Sequence, residues 1–138
     1  MVPYFINTKE ELENLIQKLE KLQKSQYDLK NNWEQALNEI FTQQEKEYIK
    51  TYSKNYKDNT NAVTKLINYL QKARVVNITL AWQPTIKQQL KIAQKIKSLI
   101  KEGVINIYYN PDIAGGIVLE YKGKYLDLSL KNKYEAKL

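Results

Sequence analysis

"RVVNITLAW", residues 74–82, decides the fold class, because the apolar spacing of the chain changes within it. Before it, apolar residues recur every three or four positions, the period of a helix face. Within it, β-branched residues dominate and alternate closely enough for a strand. Helix therefore precedes Arg74, and a mixed α/β segment follows.

Downstream, Pro84 and Thr85 open a helix through "TIKQQLKIAQKIKSLIKEG". Ile86, Leu90, Ala93, Ile96 and Ile100 fall on one side of it, with Ile92 and Leu99 at the edge. Lys87, Lys91 and Lys95 line the other side, and Gly103 is a natural stop. "VINIYY" (104–109) predicts a second strand. "GGIVLEY", the tight "KGK" turn and "YLDLSL" predict a β-hairpin. "SLKNKYEAKL" predicts a short closing helix, with Asp127 or Ser129 placed to cap it. The C-terminal part, 74–138, thus reads as a small domain of order βαββα or βαβββα.

Upstream, Thr8 stands three residues before Glu11, the spacing of a capping box. Leu12, Leu15, Leu19, Leu22, Leu29, Trp33, Ala36 and Ile40 then follow at steps of three and four, with Gln26 breaking the seam. No Pro or Gly lies between Pro3 and Pro84. One long helix, or a hairpin turning near Gln26 or Asn31-Asn32, satisfies the pattern. The seam fits either the core of a small bundle or a coiled coil with another chain. Leu12, Leu15, Leu19, Leu22, Leu29 and Trp33 are accordingly candidate subunit-interface residues. After the polar turn "YSKNYKDNTN" (52–61), Val63, Leu66, Ile67 and Leu70 mark a further helix. The fold class is α+β, with a helical segment 1–73 ahead of the small domain.

Composition narrows the chemistry. With no Cys and no His, thiol chemistry, most zinc sites and the usual base near neutral pH are absent. "AGG" has neither GxGxxG nor GxxxxGK[ST] spacing. Asp112 and Asp127 read as a turn residue and a helix start rather than a carboxylate pair. We assign no catalytic, cofactor or metal residues. The net charge of +7 belongs to the C-terminal part: residues 74–138 carry 11 basic against 5 acidic side chains, residues 1–73 carry 11 against 10. Lys87, Lys91 and Lys95 could meet an acidic protein surface or nucleic acid phosphates. Tyr residues do not interleave with them as a single-strand platform wants, so a small nucleic-acid-binding protein is the weaker reading. Neither a signal peptide nor a run long enough to span a bilayer is seen, which predicts a cytoplasmic protein meeting membrane only through a partner.

The last 29 residues, "NPDIAGGIVLEYKGKYLDLSLKNKYEAKL", are more specific. They resemble the C-terminal end of the delta subunit of F-type ATP synthases, the oligomycin-sensitivity-conferring protein family. Asn110, Ile113, Gly115-Gly116, Ile117 with Leu119, the Lys122-Gly123-Lys124 turn, Asp127 and Ser129-Leu130 occupy the places of that family's motif in order. The resemblance covers about residues 72–138. Tyr109 stands where an aliphatic residue is usual, and residues 1–71 lack the early Tyr-Ala-x-Ala-Leu helix of the family's six-helix N-terminal domain. The resemblance implies a non-catalytic peripheral-stalk subunit, with b-type stalk subunits as partners of the C-terminal domain. For the N-terminal half it extends to the N-terminal tails of the alpha subunits. The E-type stalk protein of V-type or A-type ATPases is a similar alternative, since it joins a long helix to a small α/β domain with its own Gly-Gly strand. In either case Lys87, Lys91 and Lys95 become candidate interface residues.

Overall fold

The computed structural model describes residues 1–28, 32–113 and 116–127. It divides into two compact units, one of Leu12–Lys72 with Val2, the other of Pro3–Glu11 and Ala73–Leu138 with Met1.

The helical unit is built from α1 (Lys9–Asp28, whose first three residues belong to the other unit), α2 (Trp33–Ile40), α3 (Gln43–Ser53) and α4 (Asn59–Gln71). The first 53 residues are therefore broken into three helices with neither Pro nor Gly at the breaks. Side-chain caps take their place. Asn32 accepts from the Glu34 N–H at the start of α2. Thr42 and Glu45 form a reciprocal capping box at the start of α3, directly after Phe41 has left the helix in an extended conformation. Each cap satisfies backbone donors that a continuous helix would satisfy internally, which offsets the cost of the break.

Leu12, Leu15, Leu19 and Leu22 are at most 4% exposed. Around them, Lys18 Nζ reaches Glu45 Oε1 of α3 at 2.9 Å, and Gln23 Nε2 donates to Thr64 Oγ1 of α4 at 2.7 Å. The chain thus covers this part of the seam itself, the intramolecular one of its two readings, and leaves none of the four leucines exposed for a second chain. Trp33 is half-buried, and Leu29 lies outside the described residues. Val63, Leu66, Ile67 and Leu70 complete the buried face of α4.

The second unit is a four-stranded mixed sheet with a helix on one face. Its strands are β1 (Val75–Leu80), β2 (Val104–Tyr109), β3 (Ile117–Tyr121) and β4 (Lys124–Asp127), in spatial order β2-β1-β3-β4. β2 lies parallel to β1, with Val75 opposite Val104 and Leu80 opposite Tyr109. β3 is antiparallel to β1, and β4 to β3. The parallel pair requires a crossover, supplied by α5 (Ile86–Leu99). Thr85 and Gln88 form its capping box. Val76, Ile78, Leu80 and Ile105 from the sheet pack with Ala93 and Ile96 from α5. The hairpin turn holds Lys122 at φ 52° and Gly123 at φ 79°, the two left-handed residues of a tight two-residue loop whose twist matches its strands. The closing helix expected from "SLKNKYEAKL" lies outside the described residues.

Gly103 does follow α5, but for a different reason than helix stops usually demand. The left-handed residue is Glu102, at φ 61°. At Gly103 a Cβ would meet the Ile100 carbonyl oxygen at 3.1 Å and Ile96 Cγ2 at 3.2 Å, so the residue is small because α5 and β2 approach there. Gly103→Val should cost about 1–3 kcal/mol through overpacking, read as a lowered Tm.

Glu45 supplies a second test. Burial raises its pKa, but the Thr42 backbone N–H, Lys18 and the Thr42 hydroxyl outweigh it and hold the carboxyl below its ordinary 4.5. A carboxylate depressed on folding contributes stability that is present above its unfolded pKa and lost as pH falls through the folded one. The wild-type Tm should therefore fall more steeply than that of Glu45→Gln between about pH 5 and about pH 3, so the two converge in acid.

Candidate docking site

α5 is more amphipathic on paper than in place. Ala93 and Ile96 are buried and Ile92 and Ile100 partly so, yet Ile86 is 85% and Leu90 45% exposed. The expected single apolar side thus splits in two. Its C-terminal half covers the sheet, whereas its N-terminal half borders the outer edge of β2, where no described strand carries the sheet further. Leu99, expected at the border of the buried side, is also exposed.

The result is a groove of about 620 Å³. Ile86, Gln89 and Leu90 of α5 form one wall, with Gln83 and Pro84 leading into it. Ile105, Ile107 and Tyr109 of β2 form the floor, and Asn7, Thr8, Glu10 and Glu11 close one end. Every lining residue belongs to the sheet unit.

The closing end is a short N-terminal strap. Thr8 bridges Ile105 in parallel sense, and the Ile105 N–H donates to the Asn7 carbonyl at 2.9 Å. Lys97 fastens the strap to α5: its ammonium donates to the carbonyls of Tyr4 (3.0 Å) and Ile6 (2.7 Å) and to Asn7 Oδ1 (2.9 Å). Burial lowers the Lys97 pKa, and the nearby Glu11 carboxylate opposes that shift. Glu11 is itself occupied, accepting from the backbone N–H and hydroxyl of Thr8. The sequence carried one trace of this arrangement. Lys97 lies outside the 87-91-95 register, next to the buried Ile96, where a lysine needs acceptors.

Lys87, Lys91 and Lys95 are exposed, as the sequence placed them, on the same helix as Ile86 and Leu90. None has a carboxylate within ion-pair distance among the described residues. Of the family-motif residues, Asn110, Gly116, Ile117 and Leu119 belong to the turn, ladder and core of the sheet unit, and none of the described ones lines the groove. The Asn110 N–H donates to the Leu80 carbonyl, and Asn110 Oδ1 accepts from the Asp112 N–H in the turn that follows β2. The Gly116 carbonyl accepts from Ala81, extending the β1–β3 ladder. Ile117 and Leu119 pack against the core, and Asp127 stands opposite Val118 in β4. Ile113 is half-buried, and Gly115, Ser129 and Leu130 lie outside the described residues. Among the described residues no three His, Cys, Asp or Glu side chains cluster as metal ligands. Asn77, Glu120, Asn106 and Tyr108 form a hydrogen-bonded row on the opposite sheet face, with no nucleophile and base pair among them.

The site thus comprises an exposed apolar groove and, on the same helix, a lysine face without an ion-pair partner among the described residues. The model of the ATP synthase delta (OSCP) subunit family matches residues 6–136, and the chain belongs to that family. The match runs through the helical half as well, although the sequence resemblance reached only residues 72–138. It also decides between the two stalk families in favour of delta. A comparison with curated proteins finds no match. Family membership makes the chain a peripheral-stalk subunit of an F-type ATP synthase, a non-catalytic class. Among the described residues no helix is long and apolar enough to cross a membrane.

Replacing Lys97 by Met keeps the stem and removes the three donated hydrogen bonds. It should lower stability by about 1–2 kcal/mol. Amide exchange at Ile105 should quicken more than at Ile78 in the centre of the sheet, because the strap loosens first.

Proposed function

We propose that the chain is a stator joint, whose sheet unit docks b-type stalk helices and whose helical unit reaches the N-terminal tails of the alpha subunits on the catalytic head. It meets the membrane only through the complex, on its cytoplasmic side. The observation that carries the first half is the composition of α5: exposed Ile86 and Leu90 beside exposed Lys87, Lys91 and Lys95, with no acidic partner among the described residues. An amphipathic helix with an apolar stripe and acidic flanks is the complementary surface. Apolar burial would supply most of the affinity, while the lysines fix register and speed encounter.

The mechanism is mechanical. A stator holds the head against rotary torque, so its joint has to stay bound over many rotations. A slow dissociation rate meets that demand, and it comes from desolvated apolar anchors surrounded by a polar rim. No bond is made or broken by this chain. For the alpha tails, the support is the family match over the helical half and the compact helical unit that half forms.

Pull-down from native membranes with the tagged full chain should recover alpha, beta and b-type subunits by mass spectrometry. Recovery of none of them would overturn the proposal. Reversing the three lysines together (K87E, K91E, K95E) should weaken b-subunit binding by at least about tenfold at low salt, and the deficit should shrink as ionic strength rises.

A further inference from the structure

The strap covers only part of the outer edge of β2. Even-numbered residues of this strand bond inward to β1: the Val104 N–H donates to the Arg74 carbonyl and the Asn110 N–H to the Leu80 carbonyl. Odd-numbered residues face outward, and the Ile105 N–H donates to the Asn7 carbonyl of the strap. Beyond that point the chain turns away into α1. No described segment pairs with the outward N–H and C=O groups of Ile107 and Tyr109, which lie along the apolar groove. A sheet edge left unpaired above an apolar floor is a template for one more strand.

We propose that this edge binds an extended segment of a partner chain, which continues the line of the strap as a parallel strand. Alternate aliphatic side chains of the segment enter the groove between Ile107, Ile86 and Leu90, and a basic residue at its N-terminal end meets Glu10. Three observations choose this occupant. The strap is a strand already accepted by the same edge, in parallel sense, and it ends where the open stretch begins. The open stretch offers backbone donors and acceptors that a helix, whose own backbone groups are internally paired, cannot satisfy. Glu10 and Glu11 are the charged residues that line the groove, and Glu11 is occupied by Thr8 while Glu10 is exposed without a described partner. The site shares Ile86 and Leu90 with the stalk-helix reading but adds the open edge of β2 and an acidic end at Glu10, so protection of the Ile107 and Tyr109 amides tests this inference while the triple lysine reversal tests that reading.

The test uses the full chain and a synthetic peptide, acetyl-KVTITV-amide, whose aliphatic residues alternate and whose first residue is basic. Amide exchange of Ile107 and Tyr109 should slow by at least about fivefold at saturating peptide, while Asn106 and Tyr108, already paired to β1, change little. Tyr109→Pro removes an outward N–H without touching the β1–β2 ladder, and should weaken binding by about tenfold or more. Leu90→Asp alters an exposed side chain, so the fold is retained, and it should weaken binding by a similar factor. Glu10→Gln should lower affinity for this peptide but not for acetyl-QVTITV-amide. Peptide binding that leaves the Ile107 and Tyr109 amides unprotected would overturn the inference, as would no binding at millimolar peptide. Protection that rises with protein concentration in the absence of peptide would also overturn it, by assigning the edge to a second copy of the chain.

Discussion

Parallel pairing of β1 with β2 is the constraint on which the sheet unit depends. Two parallel strands cannot be joined by a tight turn, so the chain has to cross one face of the sheet and return. α5 is that crossing, and its placement follows from it. Its C-terminal half lies over the buried residues of β1 and β2, where Ala93 and Ile96 complete the core. The close approach at its end makes any side chain at Gly103 tight against Ile96 and the Ile100 carbonyl. Its N-terminal half borders the rim of the sheet, and the groove is the space left there.

The strap resolves half of the problem that this crossing creates. β2 is an edge strand, and an edge is a row of unmet hydrogen-bonding groups. Asn7 and Thr8 occupy part of it, held by an ammonium that reaches three oxygens of the strap at once. A lysine suits this role better than an arginine would, because its three donors radiate from one point toward acceptors that converge from different residues. The lysines that face outward from the same helix have no such acceptors among the described residues, and that difference separates a structural cation from exposed ones.

Much of this was legible in the sequence. The change of period at Arg74, the capping box at Thr8, the helix opening at Pro84-Thr85, the strand of 104–109 and a hairpin turning at Lys122-Gly123-Lys124 all follow from local side-chain physics. Family membership was legible from spaced residues around Gly115-Gly116, of which Asn110, Gly116, Ile117 and Leu119 are seen to shape the turn and the ladder beside β1. What stayed hidden was non-local. The hairpin alternative did place a turn near Asn31-Asn32, beside the cap at Asn32, whereas the break at Thr42 depends on a cap that any Thr could offer, so nothing in the pattern singled it out. The exposure of Ile86 and Leu90 is set by where the sheet ends, which helical periodicity does not encode. The strap joins residues about ninety positions apart, and only the misplaced Lys97 hinted at it.

The discontinuity of the sheet unit has a consequence for how the protein comes into being. Leu12–Lys72 is a continuous stretch, so its helices have all their partners as soon as they have been synthesised. The strap is made before that stretch, yet β2, the strand it pairs with, is synthesised only after the whole helical unit and β1. Pro3–Thr8 therefore precedes its sheet partner by about a hundred residues of synthesis, and its place on the edge of β2 exists only once both sequence flanks of the helical unit have been made. The order of synthesis and the order of assembly run in opposite directions here, and a stretch that leaves the ribosome early is among the last to find its place.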